Sequence, residues 1–288
     1  MKKATLYLIL LLLGTAFWGM SFPITKMAVQ AGSLYVFLFY RLALATVILS
    51  VCFSKYVRKV SLSSLTCGSM LAVPLTVSMI LQTKGLQYLP ASQCTFIAGI
   101  CVILVPFIKW LVYRTGFSRK ISIASLIALS GLSLITISGK LTLNQGFVYV
   151  ILGTISFSIY LIMVEKQKDK YEIATAIVPM FAAGSIIALC LAIVDNSQIW
   201  AVEDQDFWTG VMYCAIFSTA YMYSVSMIAQ QYLSAEKVAV IYLFEPLFGA
   251  IASLFLLHEP LTWKLFVGGL LIFAATLYSE LNISFKSK

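Results

Sequence analysis

The chain has 288 residues, of which 61% are hydrophobic and 11% are charged. A soluble domain is about half apolar and about a quarter charged, so this composition excludes a water-soluble globule, a secreted disulfide scaffold and a disordered chain. The formal net charge of +9 is spread along the sequence without a dense basic block. Such charge is typical of cytoplasmic loops and anionic lipid headgroups, and no nucleic-acid partner is expected.

Apolar runs long enough to cross a lipid bilayer recur from one end of the sequence to the other. At about 1.5 Å per residue, roughly 18 or more apolar residues span a hydrocarbon core of about 30 Å. We predict ten transmembrane helices joined by short loops, at residues 5–25, 33–53, 64–86, 90–113, 121–138, 145–165, 172–194, 207–230, 234–257 and 261–281. The predicted fold class is therefore an all-α integral membrane protein embedded in the lipid bilayer.

The two halves of the sequence share short motifs in corresponding spans. The shared triplets lie in the first and sixth spans and at the ends of the third and eighth: Leu13-Gly14-Thr15 with Leu152-Gly153-Thr154, and Gln87-Tyr88-Leu89 with Gln231-Tyr232-Leu233. Pro106 in the fourth span and Pro246 in the ninth occupy similar places. We therefore predict two five-helix repeats, residues 1–140 and 141–288. Because five is odd, the second repeat enters the membrane from the opposite side, which gives an inverted repeat.

Lysine and arginine residues are distributed unevenly between the two sides of the membrane. If the N-terminus is cytoplasmic, fourteen of the twenty basic residues fall on the cytoplasmic side, and four (Lys26, Lys84, Lys140 and Lys264) fall outside. Basic loops are retained in the cytoplasm. We therefore predict a multi-pass protein of the cell (inner) membrane with both termini cytoplasmic.

The sequence offers little material for catalysis or for a bound cofactor. Its six cysteines lie inside apolar runs with no CxxC spacing, and it has one histidine, so we expect no disulfides, no metal site and no cofactor. The loops carry no nucleotide-binding fingerprint, which argues against an ATP-driven pump. A membrane enzyme would need a clustered nucleophile or base, and a channel would usually show a filter-like polar segment. A secondary transporter is therefore favoured.

Charged residues and prolines inside the predicted spans are costly, and each needs a reason. Glu245 lies near the middle of the ninth span, where a carboxylate usually faces a cavity or a partner. It is a candidate substrate or proton site, the alternative being a structural acid held by hydroxyl groups or by Arg41. We expect Arg41 to bind carbonyl groups rather than substrate, and Lys109 to extend to the membrane interface. Pro106 and Pro246 free the carbonyl groups four residues earlier and are candidate hinges.

Four stretches of the sequence match helix motifs of one family. They are Trp18-Gly19-Met20-Ser21-Phe22, Phe39-Tyr40-Arg41-Leu42-Ala43, the stretch from Phe96 to Pro106, and the stretch from Ala239 to Phe248. In these motifs the chain resembles the EamA family of the drug/metabolite transporter superfamily. The resemblance implies ten helices in two inverted halves, a central cavity built by helices 1–4 and 6–9, and peripheral helices 5 and 10.

The resemblance also implies a function. It implies secondary-active transport of a small-molecule substrate by alternating access, with efflux as the favoured direction. The substrate would be a small metabolite or drug, such as an amino acid-like, aromatic or amphipathic solute, and the protein would be a monomer or a weak homodimer. Uptake or exchange of a cationic or nucleotide-like metabolite is the alternative.

Polar and aromatic side chains in the cavity-forming spans supply the candidate substrate site. The candidates are Trp18, Phe22, Gln82, Phe96, Tyr160, Tyr221, Tyr223, Tyr242 and Glu245. Aromatic walls with few charges suit an amphipathic or aromatic solute, or a cation held by ring faces. Glu245 and Arg41 are the candidates for proton coupling or for setting the charge preference of the site.

Overall fold

A computed structural model describes residues 2–114, 119–136, 145–167, 173–195, 199–257 and 263–280. As the sequence predicts, these ranges are helical throughout apart from short turns and loops, and they contain no β-strand. In chain order the helices are α1 (Lys2–Ala31), α2 (Leu34–Cys52), α3 (Ser54–Val57), α4 (Leu62–Leu86), α5 (Ala91–Gly99), α6 (Cys101–Tyr113), α7 (Arg119–Thr136), α8 (Gln145–Gln167), α9 (Ile173–Val194), α10 (Gln205–Tyr213), a π-helix (Cys214–Tyr221), α11 (Met222–Ala229), α12 (Ala235–Tyr242), α13 (Glu245–Leu257) and α14 (Trp263–Glu280).

Eight segments of the described chain are long and apolar enough to cross a membrane. Five are single helices: α1, α2, α4, α8 and α9. Three are interrupted: α5 with α6, α10 through the π-helix to α11, and α12 with α13. They coincide with the predicted spans one to four and six to nine, although α1 continues to Ala31 rather than ending near residue 25.

The helices α7 and α14 stand where the fifth and tenth spans were predicted. Each has 18 residues, and the two helices pack along each other. Among their described side chains, neither helix contributes to the wall of the central cavity described below.

Contacts between helix ends define two opposite faces of the helix bundle. Tyr7, near the start of α1, stacks on Tyr232 with ring centroids 5.3 Å apart, and Tyr232 lies three residues before α12. We call this side the N-terminal face. Near the other end of α1, the Lys26 Nζ donates a hydrogen bond of 2.7 Å to the carbonyl of Leu89, in the turn between α4 and α5. This opposite side is the far face.

The first helix of the second half runs opposite to α1. Gly85, in the last turn of α4 at the far face, lies against Val150 and the carbonyl of Gly146 in the first turns of α8. A Cβ atom at Gly85 would collide with the Val150 side chain. Because α8 starts at the far face and α1 starts at the N-terminal face, the two helices are antiparallel.

A glycine in α1 allows its backbone to approach the backbone of α13. A Cβ atom at Gly19 would lie 2.6 Å from the carbonyl oxygen of Glu245 and 2.6 Å from the amide nitrogen of Gly249. Both are backbone atoms, so neither could move aside without shifting α13. Small residues permit such close crossings of membrane helices, where packing rather than the hydrophobic effect holds helices together. This crossing fixes the first turn of α13, which begins with Glu245.

Pro106 and Pro246 differ in their effect on the helical hydrogen bonds. Pro106 lies inside α6, and the carbonyl of Val102, four residues earlier, accepts a hydrogen bond of 3.2 Å from the Ser125 hydroxyl of α7. Pro246 is the second residue of α13, where a missing N–H costs no helical bond. The helix breaks themselves lie just before these positions, at Ile100 and at residues 243–244.

The uneven distribution of basic residues predicts which side of the bundle faces the cytoplasm. In a protein whose exposed Cys52 and Cys190 are replaced by serine, we expect Glu203→Cys to react with an impermeant maleimide in intact cells. We expect Arg58→Cys to react only after the cells are permeabilised. Labelling is measured by the mass shift of the purified protein, and the opposite pattern would overturn the orientation.

Candidate functional site

A central cavity lies between the helices of the two halves. Its wall is formed by Trp18, Ser21, Phe22, Thr25, Arg41, Met79, Gln82, Thr83, Leu86, Ala98, Gly99, Cys101, Phe157, Tyr223, Tyr242 and Glu245. The space between these walls, counted out to its open mouth, is about 630 Å³.

Four aromatic rings close the cavity toward the N-terminal face. The indole of Trp18 lies 5.0 Å from the ring of Tyr242, 5.2 Å from Tyr223 and 5.4 Å from Phe157, all in edge-to-face arrangements. Such geometry is favoured because the positive edge of one ring meets the negative face of another. The Tyr242 hydroxyl also forms a hydrogen bond with the hydroxyl of Ser226. We call Trp18, Phe157, Tyr223 and Tyr242 the aromatic floor.

The carboxylate of Glu245 stands on the cavity wall just above this floor. The residue is 7% exposed, and in the described part of the chain no hydrogen-bond donor or cation pairs with its side chain. Because Glu245 is the first residue of α13, the helix dipole stabilises a negative charge on its side chain by up to about 2 kcal/mol. Removing an ion from water costs several kcal/mol, so the dipole alone does not compensate the charge. The remaining compensation has to come from Arg41 on the same cavity wall, from a proton or from a cation in the cavity.

Arg41 contributes a positive charge to the same cavity. Its Nε donates a hydrogen bond of 2.8 Å to the Thr219 hydroxyl, and its Nη2 donates one of 3.0 Å to the Ser218 hydroxyl. Both acceptors belong to the π-helix. The prediction that Arg41 is held within the protein agrees with this geometry, but its acceptors are hydroxyl groups rather than carbonyl groups. The guanidinium keeps its charge because arginine is not deprotonated in proteins.

The structure brings most, but not all, of the candidate residues together. Those that line the cavity are Trp18, Phe22, Gln82, Tyr223, Tyr242, Glu245 and Arg41. Tyr160 is fully buried behind the aromatic floor, with its ring 5.8 Å from Phe157. Tyr221 faces α1, where its hydroxyl donates to the carbonyl of Leu10 at 3.1 Å. The side chain of Phe96 is outside the described residues, and the candidate hinges Pro106 and Pro246 do not line the cavity.

Two functional-site features were missed at the sequence level. Phe157 belongs to the aromatic floor and lies one helical turn before Tyr160, so the same helix face could have indicated it. Lys109 does not simply extend to the interface. Its Nζ forms ion pairs with Glu165 and Glu236, two residues distant in sequence that no local pattern connects to it.

Membrane-crossing helices around a central cavity with a buried carboxylate are the architecture of a membrane transporter. Comparison with known families agrees, since the model of the EamA-like transporter family matches residues 5–137 and again residues 144–280. The chain belongs to this family. It is therefore assigned to a family of transporters rather than of enzymes.

Individual relatives and a solved structure are similar to the chain over most of its length. The chain is 24% identical over 270 residues to an uncharacterized transporter of Archaeoglobus fulgidus, covering 92% of this chain and 83% of the relative. It is 25% identical over 264 residues to the uncharacterized transporter YvbV of Bacillus subtilis, covering 88% and 85%. One crystal structure matches with a TM-score of 0.78 over 97% of both chains at 12% identity, which is a likeness of fold alone.

The hydrogen bonds of Arg41 predict a coupled effect on stability. Arg41→Lys keeps the charge but loses the planar fork, and Thr219→Val removes one acceptor. Each change should destabilise the protein by about 1.5–3 kcal/mol, the usual worth of a hydrogen bond to a charged group, and lower the apparent melting temperature in detergent. The double variant should lose less than the sum of the single variants.

The matched control for this cycle is Thr66→Val. The Thr66 hydroxyl is exposed and bonds only to carbonyls of its own helix, so its loss should leave the melting temperature nearly unchanged. Strictly additive effects of Arg41→Lys and Thr219→Val would show that the two side chains do not stabilise each other.

Proposed function

We propose that this protein is a secondary-active transporter that moves a small aromatic or amphipathic solute across the cytoplasmic membrane by alternating access. The observation that carries the proposal is an unpaired carboxylate, Glu245, on the wall of a cavity closed on one side by four aromatic rings. The direction we propose is export, which rests on the family resemblance. The termini are proposed to be cytoplasmic, which rests on the basic residues of the loops.

Two observations support the proposal of ten helices in two inverted repeats. The first helices of the two halves, α1 and α8, start at opposite faces of the bundle. The family model matches the chain twice, once in each half. The repeats we propose are residues 1–140 and 141–288, with α7 and α14 as the fifth and tenth spans. Inverted repeats are a recurrent basis of alternating access, because the two halves can exchange conformations around a shared site.

The chemistry of the wall favours a solute with an apolar, preferably aromatic, part. Ring edges of Trp18 and Tyr242 and the side chains of Phe22 and Met79 offer packing surface. Gln82 and the unused part of the Arg41 guanidinium offer polar contacts at the same level. Such a mixture of apolar walls and few polar groups is typical of small-molecule sites, where the polar groups fix orientation.

Glu245 supports one alternative, a carrier that takes up or exchanges a cationic metabolite. An unpaired carboxylate beside aromatic rings is a suitable counter-charge for an ammonium group, which the ring faces also attract. The two functions share the cavity and differ in what neutralises Glu245. In the first it is a proton, and in the second it is the substrate.

The proposed cavity predicts which substitutions impair transport. A thermal-shift screen of amino acids, nucleosides and quaternary amines would first identify a stabilising solute, because binding to the folded state stabilises it. In proteoliposomes, Trp18→Ala and Tyr242→Ala should then weaken binding of that solute by about 2 kcal/mol or more, as for buried aromatic anchors. Radiolabelled counterflow measures the effect.

The control is Leu270→Ala on the exposed side of α14, which should transport the solute normally. If Leu270→Ala abolished counterflow while both cavity variants transported normally, the cavity assignment would be wrong. If no stabilising solute showed saturable counterflow, the transporter proposal itself would lose its support.

Glu245→Gln distinguishes the two neutralising partners. If Glu245 carries a coupling proton, the variant should lose the pH dependence of transport while binding a neutral solute almost normally. If Glu245 is the counter-charge of a cationic solute, affinity should fall by about 2 kcal/mol or more, as for a desolvated pair that loses one partner. Glu203→Gln, in an exposed loop, is the matched control. An unaltered pH profile, affinity and turnover of Glu245→Gln would show that the carboxylate is only structural.

A further inference from the structure

Lys109 joins three helices by ion pairs away from the cavity. Its Nζ lies 2.8 Å from Oε2 of Glu165 in α8 and 2.5 Å from Oε1 of Glu236 in α12, while Lys109 itself belongs to α6. All three side chains are 13% exposed, so the cluster is largely removed from water. One ammonium group thus holds two carboxylates, and it connects the first half of the chain to two helices of the second half.

The cluster lies at the N-terminal face, on the opposite side of the aromatic floor from the cavity. Glu236 is four residues beyond Tyr232, which stacks on Tyr7 at that face. Lys109 is eight residues beyond the cavity residue Cys101, and Glu165 is eight residues beyond Phe157 of the floor. Eight helical residues correspond to about 12 Å along each helix.

Buried polar side-chain atoms without partners occur along α8 and α11, beyond the floor residues Phe157 and Tyr223. Within the described residues, the Tyr160 hydroxyl, the Ser224 hydroxyl and both amide atoms of Gln230 are buried without a hydrogen bond. Tyr160 and Ser224 follow the floor residues Phe157 and Tyr223, and Gln230 is the residue after α11. Such groups are costly in a dry interior and are satisfied when water reaches them. They are therefore the side chains expected along a pathway that is wet in another conformation.

We propose that Lys109, Glu165 and Glu236 form a reversible latch that holds the N-terminal face closed while the cavity is open toward the far face. This proposal rests on the transport function proposed above. In the opposite conformation the ion pairs separate and water enters past the latch. The charges are then solvated instead of paired, and the water hydrates Tyr160, Ser224 and Gln230. Ion pairs can open at low cost because water solvates the separated charges. Apolar side chains in the same place would lose free energy of burial when water entered.

The latch is tested by the accessibility of two cysteine reporters in purified protein held in nanodiscs. One reporter, Gln230→Cys, lies on the latch side of the floor, and the other, Thr25→Cys, lies in the cavity. Both are introduced with the exposed Cys52 and Cys190 and the cavity-lining Cys101 replaced by serine. Both faces of a nanodisc meet the reagent, so the maleimide reaction rate reports conformation without any assumption about orientation.

Lys109→Met should raise the reaction rate at the Gln230 reporter about tenfold and lower the rate at the Thr25 reporter. The matched control is Lys166→Met, which removes a neighbouring charge that is exposed and lies over the Tyr113 ring rather than between two carboxylates. The control should change neither rate by more than about twofold. A factor of ten in the open-to-closed ratio corresponds to about 1.4 kcal/mol, less than the loss of both ion pairs would supply.

A second variant covers the case in which Lys109→Met does not yield folded protein. Glu165→Gln leaves the pair between Lys109 and Glu236 in place, and it should still raise the rate at the Gln230 reporter, by about threefold. Folded Lys109→Met or Glu165→Gln protein with unchanged rates at both reporters would overturn the latch. The Lys166→Met control matching the effect of Lys109→Met would overturn it as well.

The labelling experiment needs no substrate, so its outcome is independent of the transport assays. Saturable counterflow with unchanged reporter rates would refute the latch and leave the transporter intact. Reporter rates that respond to Lys109→Met but not to Lys166→Met would support the latch even if every tested solute failed in counterflow.

Discussion

The hydrocarbon of a bilayer supplies no hydrogen bonds, and this constraint explains where the polar groups of the bundle lie. Each polar atom in a spanning helix must be paired inside the protein or face a wet cavity. The carbonyl of Val102, freed by Pro106, is paired with the hydroxyl of Ser125 from another helix. Arg41 is paired with two hydroxyls of the π-helix. Glu245 departs from this pattern at the cavity wall, where an unpaired group can persist because water reaches it. Tyr160, Ser224 and Gln230 also depart from it, behind the aromatic floor.

The irregular helix segments serve the same constraint. The breaks at Ile100 and at residues 243–244 and the π-helix at Cys214–Tyr221 all occur beside the cavity. In a membrane, irregular backbone is tolerated only where protein or water satisfies it, and each of these segments has buried residues beside the cavity. Single π-helical turns are rare and occur frequently at functional sites. Here the π-helix presents the adjacent hydroxyls of Ser218 and Thr219 to the guanidinium of Arg41. This is an interior contact that a helix on the surface would not make.

The sequence predicts the spans well because their signal is local. The length of the apolar runs was enough to predict the eight segments that could cross a membrane. The high cost of a charge in hydrocarbon identified Glu245 and Arg41 as candidate functional residues. Helical periodicity was less informative, since it assigns a residue to a face but does not say what that face meets. Tyr160 and Tyr221 were therefore assigned to the cavity, whereas one is packed behind the floor and the other against α1. The ion pairs of Lys109 depend on helices distant in sequence, so no local pattern could predict them.

Lys109 and Arg41 differ in how their charges are compensated, and this difference governs their effects. Lys109 is paired with two carboxylates at the N-terminal face, so its positive charge is more than compensated there. Arg41 is held by neutral hydroxyls, so its charge remains effective in the cavity. With Glu245 ionised, the two charges on the cavity wall sum to zero, and with Glu245 protonated they sum to plus one. A proton bound at Glu245 therefore changes the charge that the cavity presents to a solute, and by linkage the charge of the solute changes the affinity for that proton.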